Sequence, residues 1–497
     1  MNGGWSRLHQ ALGWAAAAAL VVVLALSVLA QPVAARQVAG LNAHLMWSSV
    51  SAAEQERQLD LIADAGGRIV RVDVGWSSLE ERRKGEYERW YLDRLDTLVD
   101  AAEARGIELL LTVTDSPCWA SSAPSEVKQG CEGSWWNRGV QRYPPTEARH
   151  YADALAFLVS RYGDRVAAWE IWNEPNSQTF FRSDAQAADY ARIVRAAYPA
   201  AKAADASSTI IAGSLAESPA AFVEALLRHG IGGHFDAFSV HPYAGDASPH
   251  DPLDDAWVKN SFARGVPSVR DVLLRHGEDK PIWLTEFGWS TSTIRGDEPW
   301  RNGVDEATQA RYTEDALTKV RDWPYVPVAI VFELIDERDD ADDRESNFGL
   351  LRHDWTPKPA YAAFRRGAEA LSGDTASGTP LAPAAEPSDE LAAPEPASRR
   401  RVRLAITRRG ARIYARGAAE PHAVARLRAR RYLRGKGRFA RRPSYKVRVR
   451  VGSSGRFRRR LDRRLARGRW RVTASYGRQA GASGARTLLT LRGGRAI

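Results

Sequence analysis

The sequence predicts a (β/α)8 TIM barrel followed by a C-terminal all-β sandwich domain, and three observations support this. From about residue 40 to residue 371, eight short β-rich runs alternate with eight amphipathic helical patterns, as expected of a parallel barrel. From residue 400 onward, short alternating runs are separated by turn signals such as 452–455, which favours a small sandwich. Residues 48–51, after the first run, form no glycine-rich phosphate loop, so an open doubly wound sheet is disfavoured.

The barrel elements are predicted from two periodicities. In the helical stretches apolar residues recur at intervals of three and four, as in Leu92, Leu95, Leu98 and Val99, whereas the strands are short apolar runs. The predicted strands are 40–47, 69–76, 107–114, 167–172, 209–215, 237–241, 281–287 and 328–334. The predicted helices are 52–65, 91–105, 146–162, 185–204, 220–229, 265–276, 306–322 and 358–371.

Changes of composition divide the chain into four predicted segments. These are a signal peptide or N-terminal anchor (1–35), the barrel (36–371), a Pro/Ala-rich linker (372–399) and a basic β-sandwich domain (400–497). Arg7 precedes an almost wholly apolar run over 15–30, and Val33-Ala34-Ala35 resembles a small-residue cleavage site,. The run is shorter than the roughly 20 residues of a membrane span. We therefore expect export, with cleavage favoured over a retained anchor.

The two cysteines, Cys118 and Cys131, are 13 positions apart in one predicted loop. In an exported protein such a pair is expected to form a disulfide. The alternative is two free thiols. A metal site is disfavoured because no histidine or second cysteine pair lies near them in the sequence.

Charge is distributed unevenly along the chain. The whole chain has 71 Lys and Arg against 60 Asp and Glu, but residues 398–497 contain 33 of the basic residues and 2 of the acidic ones. The basic segment is therefore expected to have a different electrostatic partner from the acidic remainder. We expect adhesion to an anionic cell-surface polymer. A merely solvated basic face and nucleic-acid binding are alternatives, and export makes the last unlikely.

Two motifs about a hundred residues apart each place a carboxylate after a short apolar run and among aromatic residues. They are Trp169-Glu-Ile-Trp-Asn-Glu-Pro-Asn176, which contains Glu174, and Trp283-Leu-Thr-Glu-Phe-Gly-Trp-Ser290, which contains Glu286. A barrel carries its chemistry at the carboxyl ends of its strands. Two carboxylates there suit the cleavage of a glycosidic bond, with one acid that protonates the leaving oxygen and one carboxylate that attacks the sugar carbon. Burial should raise the pKa of Glu174, which suits the acid.

Other residues near the predicted strand ends are candidates for binding the substrate or supporting the carboxylates. Asn173 can present its amide to a sugar hydroxyl, and Arg71 requires a carboxylate partner, either Glu286 or a structural acid such as Asp73. His241 and Tyr243 can hold Glu286 ionised, although a core histidine and simple rim packing are the structural alternatives. His44 is a candidate for binding a sugar hydroxyl. Trp172 and Trp289 are the candidates for stacking on sugar rings. They are chosen from seven tryptophans near strand ends or in the loop after the third strand, namely Trp47, Trp76, Trp119, Trp135, Trp136, Trp172 and Trp289,.

No cofactor or metal is expected. The acidic stretch 336–345 lacks the glycine and the distant glutamate of a calcium-binding loop, so it is interpreted as a solvated loop,. Glu170 lies four residues before Glu174 and deeper in the predicted barrel, and is interpreted as structural.

These motifs resemble the clan A retaining glycoside hydrolases over residues 40–371. Trp172-Asn-Glu-Pro175 resembles their fourth-strand acid/base motif, Leu284-Thr-Glu-Phe-Gly288 their seventh-strand nucleophile motif, His241-Pro-Tyr243 their sixth-strand pair, and Arg71 their second-strand arginine. Residues 169–176 are most similar to family 39, with family 5 cellulase-like enzymes second. Residues 331–334 lack the strand-eight Trp of family 5, and Thr114-Asp115 stands where that family has a His. These differences argue against a family 5 substrate preference for this chain and leave the double displacement unaffected.

The resemblance implies a retaining glycosidase acting on a polysaccharide or oligosaccharide by double displacement, and the N-terminal segment predicts that it is exported. Glu174 is the expected acid/base, Glu286 the expected nucleophile, and their carboxyl groups should lie about 5 Å apart. The alternative is a non-catalytic carbohydrate-binding barrel tethered to the cell surface by its basic tail. A membrane is expected as a partner only if residues 1–35 are retained.

Overall fold

The fold is a closed barrel with eight parallel strands. The computed structural model describes residues 37–128, 131 and 138–373, together with the backbone of nine strands between Arg403 and Ala496. The barrel strands are β1 (Val38–Asn42), β2 (Ile69–Gly75), β3 (Glu108–Thr114), β4 (Ala168–Ile171), β5 (Thr209–Ala216), β6 (Ala237–His241), β7 (Ile282–Leu284) and β8 (Val328–Val331). They pair in sequence order, and β8 closes on β1, which confirms the predicted barrel.

The helices lie between the strands, as the alternating sequence pattern predicts. They are α1 (Ala52–Asp64), α2 (Trp76–Leu79), α3 (Arg89–Arg105), α4 (Ser125–Lys128), α5 (Ala148–Tyr162), α6 (Gln186–Ala204), α7 (Ala220–Arg228), α8 (Phe262–Arg275), α9 (Glu306–Val320) and α10 (Pro359–Ser372). Their buried faces pack on the outside of the barrel and form the main apolar core with the outward-facing strand residues. A second apolar cluster, which includes Ile69, Leu110 and Ile330, combines side chains from neighbouring strands around the barrel and fills the barrel interior,.

Local sequence signals explain where helices begin and end. Ser51 caps α1, because its hydroxyl accepts from the Glu54 N–H while the Glu54 carboxylate accepts from the Ser51 N–H,. At the other end of a helix, Gly106 ends α3 with φ of 72°, a conformation that glycine adopts without a Cβ penalty. Such signals set the lengths of the helices that connect successive strands.

Several strands end before the predicted position. β1 ends at Asn42 rather than at residue 47, β7 at Leu284 rather than 287, and β8 at Val331 rather than 334. The residues in between leave the ladder and form the rim of the barrel. His44 and Glu286 therefore lie on irregular backbone just past their strands, where side chains can turn toward the barrel axis.

The C-terminal segment contains the strands β9–β17, which form two antiparallel sheets. One sheet has the order β14-β10-β9, and in the other β12-β11-β15-β16-β17 are joined by β13, which pairs with β11. Their bounds are Arg403–Arg409, Arg412–Ala418, Val424–Leu433, Arg438–Phe439, Tyr445–Arg450, Arg456–Arg460, Gly468–Ser475, Ala485–Arg492 and Arg495–Ala496. The sandwich arrangement and the four-segment division stay predictions.

The predicted N-terminal segment, 1–35, and nearly all of the linker, 372–399, lie outside the described residues. Among the helices that are described, none combines the length and the apolarity that crossing a bilayer requires.

Candidate active site

The predicted site residues converge from four strands: three groups lie at or just past strand carboxyl ends, and Arg71 reaches them with its long side chain from within β2. β2 supplies Arg71, the segment after β4 supplies Asn173 and Glu174, β6 ends at His241, and Glu286 follows β7. One carboxylate oxygen of Glu174, one of Glu286 and a ring nitrogen of His241 all lie within 4.8 Å of one another. The two predicted catalytic carboxylates thus meet, although 112 positions separate them in the sequence.

Glu286 is surrounded by groups that stabilise its charge. Its Oε1 accepts a hydrogen bond from Arg71 Nη1, its Oε2 accepts one from the Tyr243 hydroxyl at 2.7 Å, and His241 Nδ1 lies 3.5 Å from Oε2. Burial raises the pKa of Glu286 above its ordinary value, and His241, Arg71 and Tyr243 oppose that rise,. The pairing of Arg71 with Glu286, one of the two expected, is present. The other candidate partner, Asp73, lies 3.8 Å from the guanidinium.

Glu174 has fewer stabilising partners and holds its proton more strongly. Its Oε1 lies 3.0 Å from His241 Nδ1, and its backbone N–H donates to the carbonyl of Ser214 at 2.8 Å. Burial, followed by the nearby carboxylate of Glu345, raises the pKa of Glu174 to about 8. The pKa values of the two carboxyl groups therefore differ as an acid and a nucleophile require: Glu174 holds the proton and Glu286 is ionised.

Arg71 links the site to the interior of the barrel. It is 1% exposed and donates from Nε to Glu170 Oε2 at 2.7 Å and from Nη2 to Asn173 Oδ1 at 2.7 Å. Glu170 also accepts from the hydroxyls of Thr112 and Ser239, each at 2.7 Å. Despite burial, Arg71 and these donors hold the pKa of Glu170 below its ordinary value. Glu170 thus lies beneath the site as a fixed counter-charge for Arg71, consistent with its interpretation as structural.

His241 lies between the two carboxylates and a serine. Its Nδ1 faces Glu174 and Glu286, and its Nε2 lies 3.2 Å from Ser214 Oγ. Burial lowers the pKa of His241, against the opposing effect of Glu286. A neutral ring can carry its proton on either nitrogen, so Nδ1 can donate to the ionised Glu286 or accept from the protonated carboxyl group of Glu174.

His44 lies apart from the carboxylate pair. Its Nε2 lies 3.2 Å from Glu333 Oε2 and 3.4 Å from Glu337 Oε1. Although burial opposes it, these carboxylates raise the pKa of His44 to about 10. His44 therefore acts first as the counter-ion of two glutamates near the end of β8, and its predicted contact with a sugar hydroxyl stays a prediction.

The prediction that Trp172 and Trp289 stack on sugar rings is wrong, because both side chains are buried. Trp172 is 0% exposed and Trp289 is 2% exposed, and their indole N–H groups donate to the carbonyls of Phe180 and Ala247. Trp172 packs edge-on against Phe181, and Trp289 packs against Tyr312. Neither ring has a free face for a sugar, since both form the walls behind the pocket.

Ser214 is a site residue that sequence reasoning missed. Its hydroxyl accepts from Arg71 Nη2 at 3.2 Å and contacts His241. It reaches them because β5 has an irregular register between Ala212 and Leu215, where Ser214 has φ of 50°. A bulge of this kind re-aims a side chain. The Gly213-Ser214 pair was the only available sequence signal, and it is a weak one.

Arg344 and Glu345 were also missed because they belong to the acidic loop interpreted as solvated. Glu345 raises the pKa of Glu174, and Arg344 lowers it. The Arg344 guanidinium also lies over the ring of Tyr243 at 5.7 Å. Part of the loop after β8 therefore lies beside the carboxylate pair.

Outside the carboxylate pair, the structure joins Cys118 and Cys131 in the expected disulfide. Within the described part of the chain, two groups of three side chains have spacings compatible with a metal ion, namely Glu174, His241 and Glu286, and His44, Glu333 and Glu337. In each group a ring nitrogen of the histidine lies within 3.5 Å of both carboxyl groups.

Comparisons with known proteins identify glycoside hydrolases among the proteins similar to this chain. The family model for cellulase, glycosyl hydrolase family 5, matches residues 29–316, more than half of the chain. A β-glucosidase 47 from Arabidopsis thaliana is 29% identical over 121 residues, 24% of this chain and 20% of that protein. Mannan endo-1,4-β-mannosidase A from Podospora anserina is 28% identical over 181 residues, 31% of this chain and 46% of that protein. The chain thus spans less than half the length of these relatives.

Solved structures show the same fold at low sequence identity. A family 39 glycoside hydrolase from Bacteroides cellulosilyticus WH2 aligns with a TM-score of 0.51 and 20% identity, covering 86% of this chain and 80% of that one. An exo-β-1,4-mannosidase from Opitutaceae bacterium strain TAV5 aligns with a TM-score of 0.50 and 18% identity, covering 68% and 60%. The expected resemblance to the clan A glycoside hydrolases of families 39 and 5 is confirmed. By the match of its barrel, the chain belongs to the cellulase family, glycosyl hydrolase family 5.

Proposed function

We propose that this protein is an exported, retaining glycosidase that uses Glu174 as acid/base and Glu286 as nucleophile. The observation that carries the proposal is the approach of the two carboxylates, whose oxygens come within 4.8 Å of each other. Retaining enzymes place their carboxyl groups about 5 to 5.5 Å apart, whereas inverting enzymes separate them by about 6.5 to 9.5 Å to admit a water.

In the first step, Glu286 attacks the anomeric carbon while Glu174 donates its proton to the glycosidic oxygen. The bond from carbon to the leaving oxygen breaks, an ester forms between the sugar and Glu286, and the leaving group departs as an alcohol. A pKa of about 8 keeps Glu174 protonated at neutral pH. Arg71, Tyr243 and His241 stabilise the negative charge that Glu286 needs for attack,.

In the second step, the ionised Glu174 accepts a proton from water as the water oxygen attacks the anomeric carbon. The ester bond breaks, Glu286 returns as a carboxylate, and two inversions leave the original configuration. His241 lies between the carboxylates and can shift its hydrogen bonds as the charge moves from one to the other. Asn173, held by Arg71, is placed to bind a hydroxyl beside the reacting carbon.

For the substrate we propose a β-linked glucan or mannan. The matching relatives carry the names β-glucosidase and mannan endo-1,4-β-mannosidase, and the matching family model is that of cellulase. The N-terminal 35 residues support export through their apolar run and small-residue cleavage site,. The basic tail is proposed to be a β-sandwich that binds an anionic cell-surface polymer, because 33 Lys and Arg face only 2 acidic residues in it,.

The decisive experiment combines Glu286→Ala with azide. On an aryl β-glycoside the variant should lose turnover, and added azide should restore release of the aryl group while forming a glycosyl azide of inverted configuration, read by NMR. Glu314→Ala removes a surface glutamate that pairs with Arg366 and is the control that should keep wild-type activity. Near-normal turnover by Glu286→Ala would contradict the assignment. A wild-type protein that binds oligosaccharides without hydrolysing them would favour a non-catalytic binding barrel.

A further inference from the structure

His44, Glu333 and Glu337 form a group of side chains that the proposed mechanism does not use, and we call it the seam cluster. His44 follows β1 and both glutamates follow β8, so the cluster lies where β8 closes the barrel on β1. A ring nitrogen of His44 and one carboxylate oxygen of each glutamate all lie within 4.8 Å of one another. Two separate segments of the chain therefore present three donor atoms to one small volume.

The approach of these atoms is close but is not made by directed hydrogen bonds. His44 Nε2 lies 3.2 Å from Glu333 Oε2 and 3.4 Å from Glu337 Oε1. Within the described part of the chain, however, neither ring nitrogen of His44 has a hydrogen-bond partner. At such distances a hydrogen bond requires a well-aligned N–H, so the axis of Nε2 points at neither oxygen. The three atoms surround a common volume without bonding to one another.

The histidine of the catalytic pair differs in this respect. His241 Nδ1 lies at hydrogen-bond distance from Glu174 Oε1, and its Nε2 lies at hydrogen-bond distance from Ser214 Oγ. Both of its ring nitrogens are therefore engaged within the protein. His44 has no such engagement, so its ring is available to a ligand.

Glu333 provides a second, independent observation. It is 1% exposed, and among the described residues its Oε1 has no hydrogen-bond partner. By contrast, the buried carboxylate of Glu170 accepts from Arg71, Thr112 and Ser239. A buried carboxylate is costly unless it is paired or coordinates a metal. The protein leaves Glu333 unsatisfied in the way that a bound cation would correct.

The net charge of the seam cluster is also negative. Its two carboxylates face a single imidazole, and no Lys or Arg of the described residues is recorded within ion-pair distance of either glutamate. Even a protonated ring leaves one negative charge. A divalent cation bound by a neutral ring and two carboxylates would bring the total charge to zero.

The donor atoms are held in place by their surroundings. The ring of His44 stacks on the indole of Trp47, with ring centroids 4.0 Å apart and planes 13° from parallel. Arg94 donates to the carbonyl of Trp47 at 2.7 Å and so ties this loop to α3. On the other side, the carbonyl of Glu333 accepts from the N–H of Leu350 at 3.0 Å. Donors fixed in advance lose little conformational entropy when they bind.

The donor set indicates the class of ion. One imidazole nitrogen with two carboxylate oxygens suits Zn²⁺ or Mn²⁺, whereas Ca²⁺ and Mg²⁺ prefer oxygen donors alone. At a given site Zn²⁺ generally binds more tightly than Mn²⁺. Three protein ligands leave a coordination position for water, which can enter because the side chains of His44 and Glu337 are 15% and 20% exposed.

We propose that the seam cluster is a metal site, in which His44, Glu333 and Glu337 bind one divalent transition-metal ion, zinc in preference to manganese. The ion links the segment after β1 to the segment after β8 and thereby stabilises the closure of the barrel. The proposal is independent of the glycosidase function.

The test is a calorimetric titration of the metal-free full chain with ZnCl₂. His44→Gln and Glu337→Gln should each lower the zinc affinity at least tenfold. Glu337 is the partly exposed ligand, so its substitution gives a result even if His44→Gln folds poorly. His276→Gln is the matched control, because His276 lies 2.9 Å from a single carboxylate, that of Glu224, and it should keep the wild-type affinity.

Two further measurements locate the ion. Zinc should raise the Tm of the wild-type protein more than that of Glu337→Gln, because only a ligand bound to the folded state stabilises it. X-ray absorption at the zinc edge should show one imidazole nitrogen at about 2.0–2.1 Å together with carboxylate oxygens.

The variant Glu286→Gln distinguishes the seam cluster from the catalytic group. It should keep the wild-type zinc affinity, and a loss of binding in this variant would place the ion on the catalytic residues and overturn the proposal. An absence of zinc binding by the wild-type protein would overturn it as well. So would an affinity that is unchanged in both His44→Gln and Glu337→Gln.

Discussion

Tyr243→Phe should separate charge stabilisation from the rest of catalysis. The substitution keeps the ring, which packs edge-on against Phe332 and Phe348, and removes the hydroxyl that donates to Glu286 Oε2 at 2.7 Å. A hydrogen bond to a charged group contributes about 1.5–3 kcal/mol. The variant loses that stabilisation only when Glu286 is ionised, because the hydroxyl favours the charged form.

The expected result follows from the sign of this change. Without the hydroxyl the pKa of Glu286 rises further, so the residue stays protonated to higher pH and cannot attack. On the acid limb of the pH profile kcat/KM should fall about 10- to 100-fold, since 1.4 kcal/mol is a factor of ten. The loss should shrink as pH rises and Glu286 ionises, and the alkaline limb, set by Glu174 with its pKa of about 8, should stay in place.

The assay is kcat/KM for an aryl β-glycoside measured across the pH range, with Tyr361→Phe as control. The Tyr361 hydroxyl donates to the carbonyl of Leu61 at 2.7 Å, outside the barrel mouth, so its removal should leave the profile unchanged. An acid limb of Tyr243→Phe that coincides with the wild-type limb would refute the reasoning. So would an equal loss at every pH, because that result would indicate displaced geometry rather than lost charge stabilisation.

Three further predictions concern the acid, the buried cation and the disulfide. Wild-type kcat/KM should fall as pH rises through about 8 because Glu174 then loses the proton it donates. Glu174→Ala should remove this alkaline limb of the pH profile while still cleaving dinitrophenyl glycosides. The measurement is the pH profile of each protein on substrates with good and with poor leaving groups. Arg71→Met leaves buried carboxylates without their cation and should lower the unfolding free energy by about 3–5 kcal/mol in urea titrations. Arg165 is partly exposed, so the control Arg165→Met should lower the unfolding free energy by at most ~1 kcal/mol. Equal losses in the two variants would argue against a special role for the buried network. The double variant Cys118→Ser, Cys131→Ser removes a disulfide that joins residues 13 positions apart and should lower the unfolding free energy by ~3 kcal/mol. A double variant as stable as the oxidised protein would show that the disulfide does not stabilise the fold.

The barrel and its catalytic pair could be predicted because both follow from local patterns and one topological rule. Short apolar runs and helical periodicities mark strands and helices, and parallel strands in a barrel present their carboxyl ends on one face. Glu174 and Glu286 each follow such a run, so their meeting at one pocket required no knowledge of side-chain packing. The same rule placed His241 there, whereas Arg71 lies within β2 and reaches the pocket because its side chain is long.

The direction of individual side chains at the rim could not be predicted in this way. Alternation along a strand says which face a residue occupies only while the strand lasts, and β4 ends at Ile171. Trp172 then has φ of 65° and Glu174 has φ of 45°, so strand alternation no longer indicates where the Trp172 side chain points. The indole instead turns into the wall of the barrel.

The sequence by itself determined the element order, the identity of the two carboxylates and the cysteine pair, because each is written in contiguous residues or a short spacing. Only the tertiary structure decided which carboxylate holds the proton, since that depends on burial and on how Arg71, Tyr243 and His241 are shared between Glu174 and Glu286. It also decided that Trp47, rather than Trp172 or Trp289, presents a free aromatic face. Charge sharing and exposure are properties of distances between remote segments, and a linear sequence does not contain those distances.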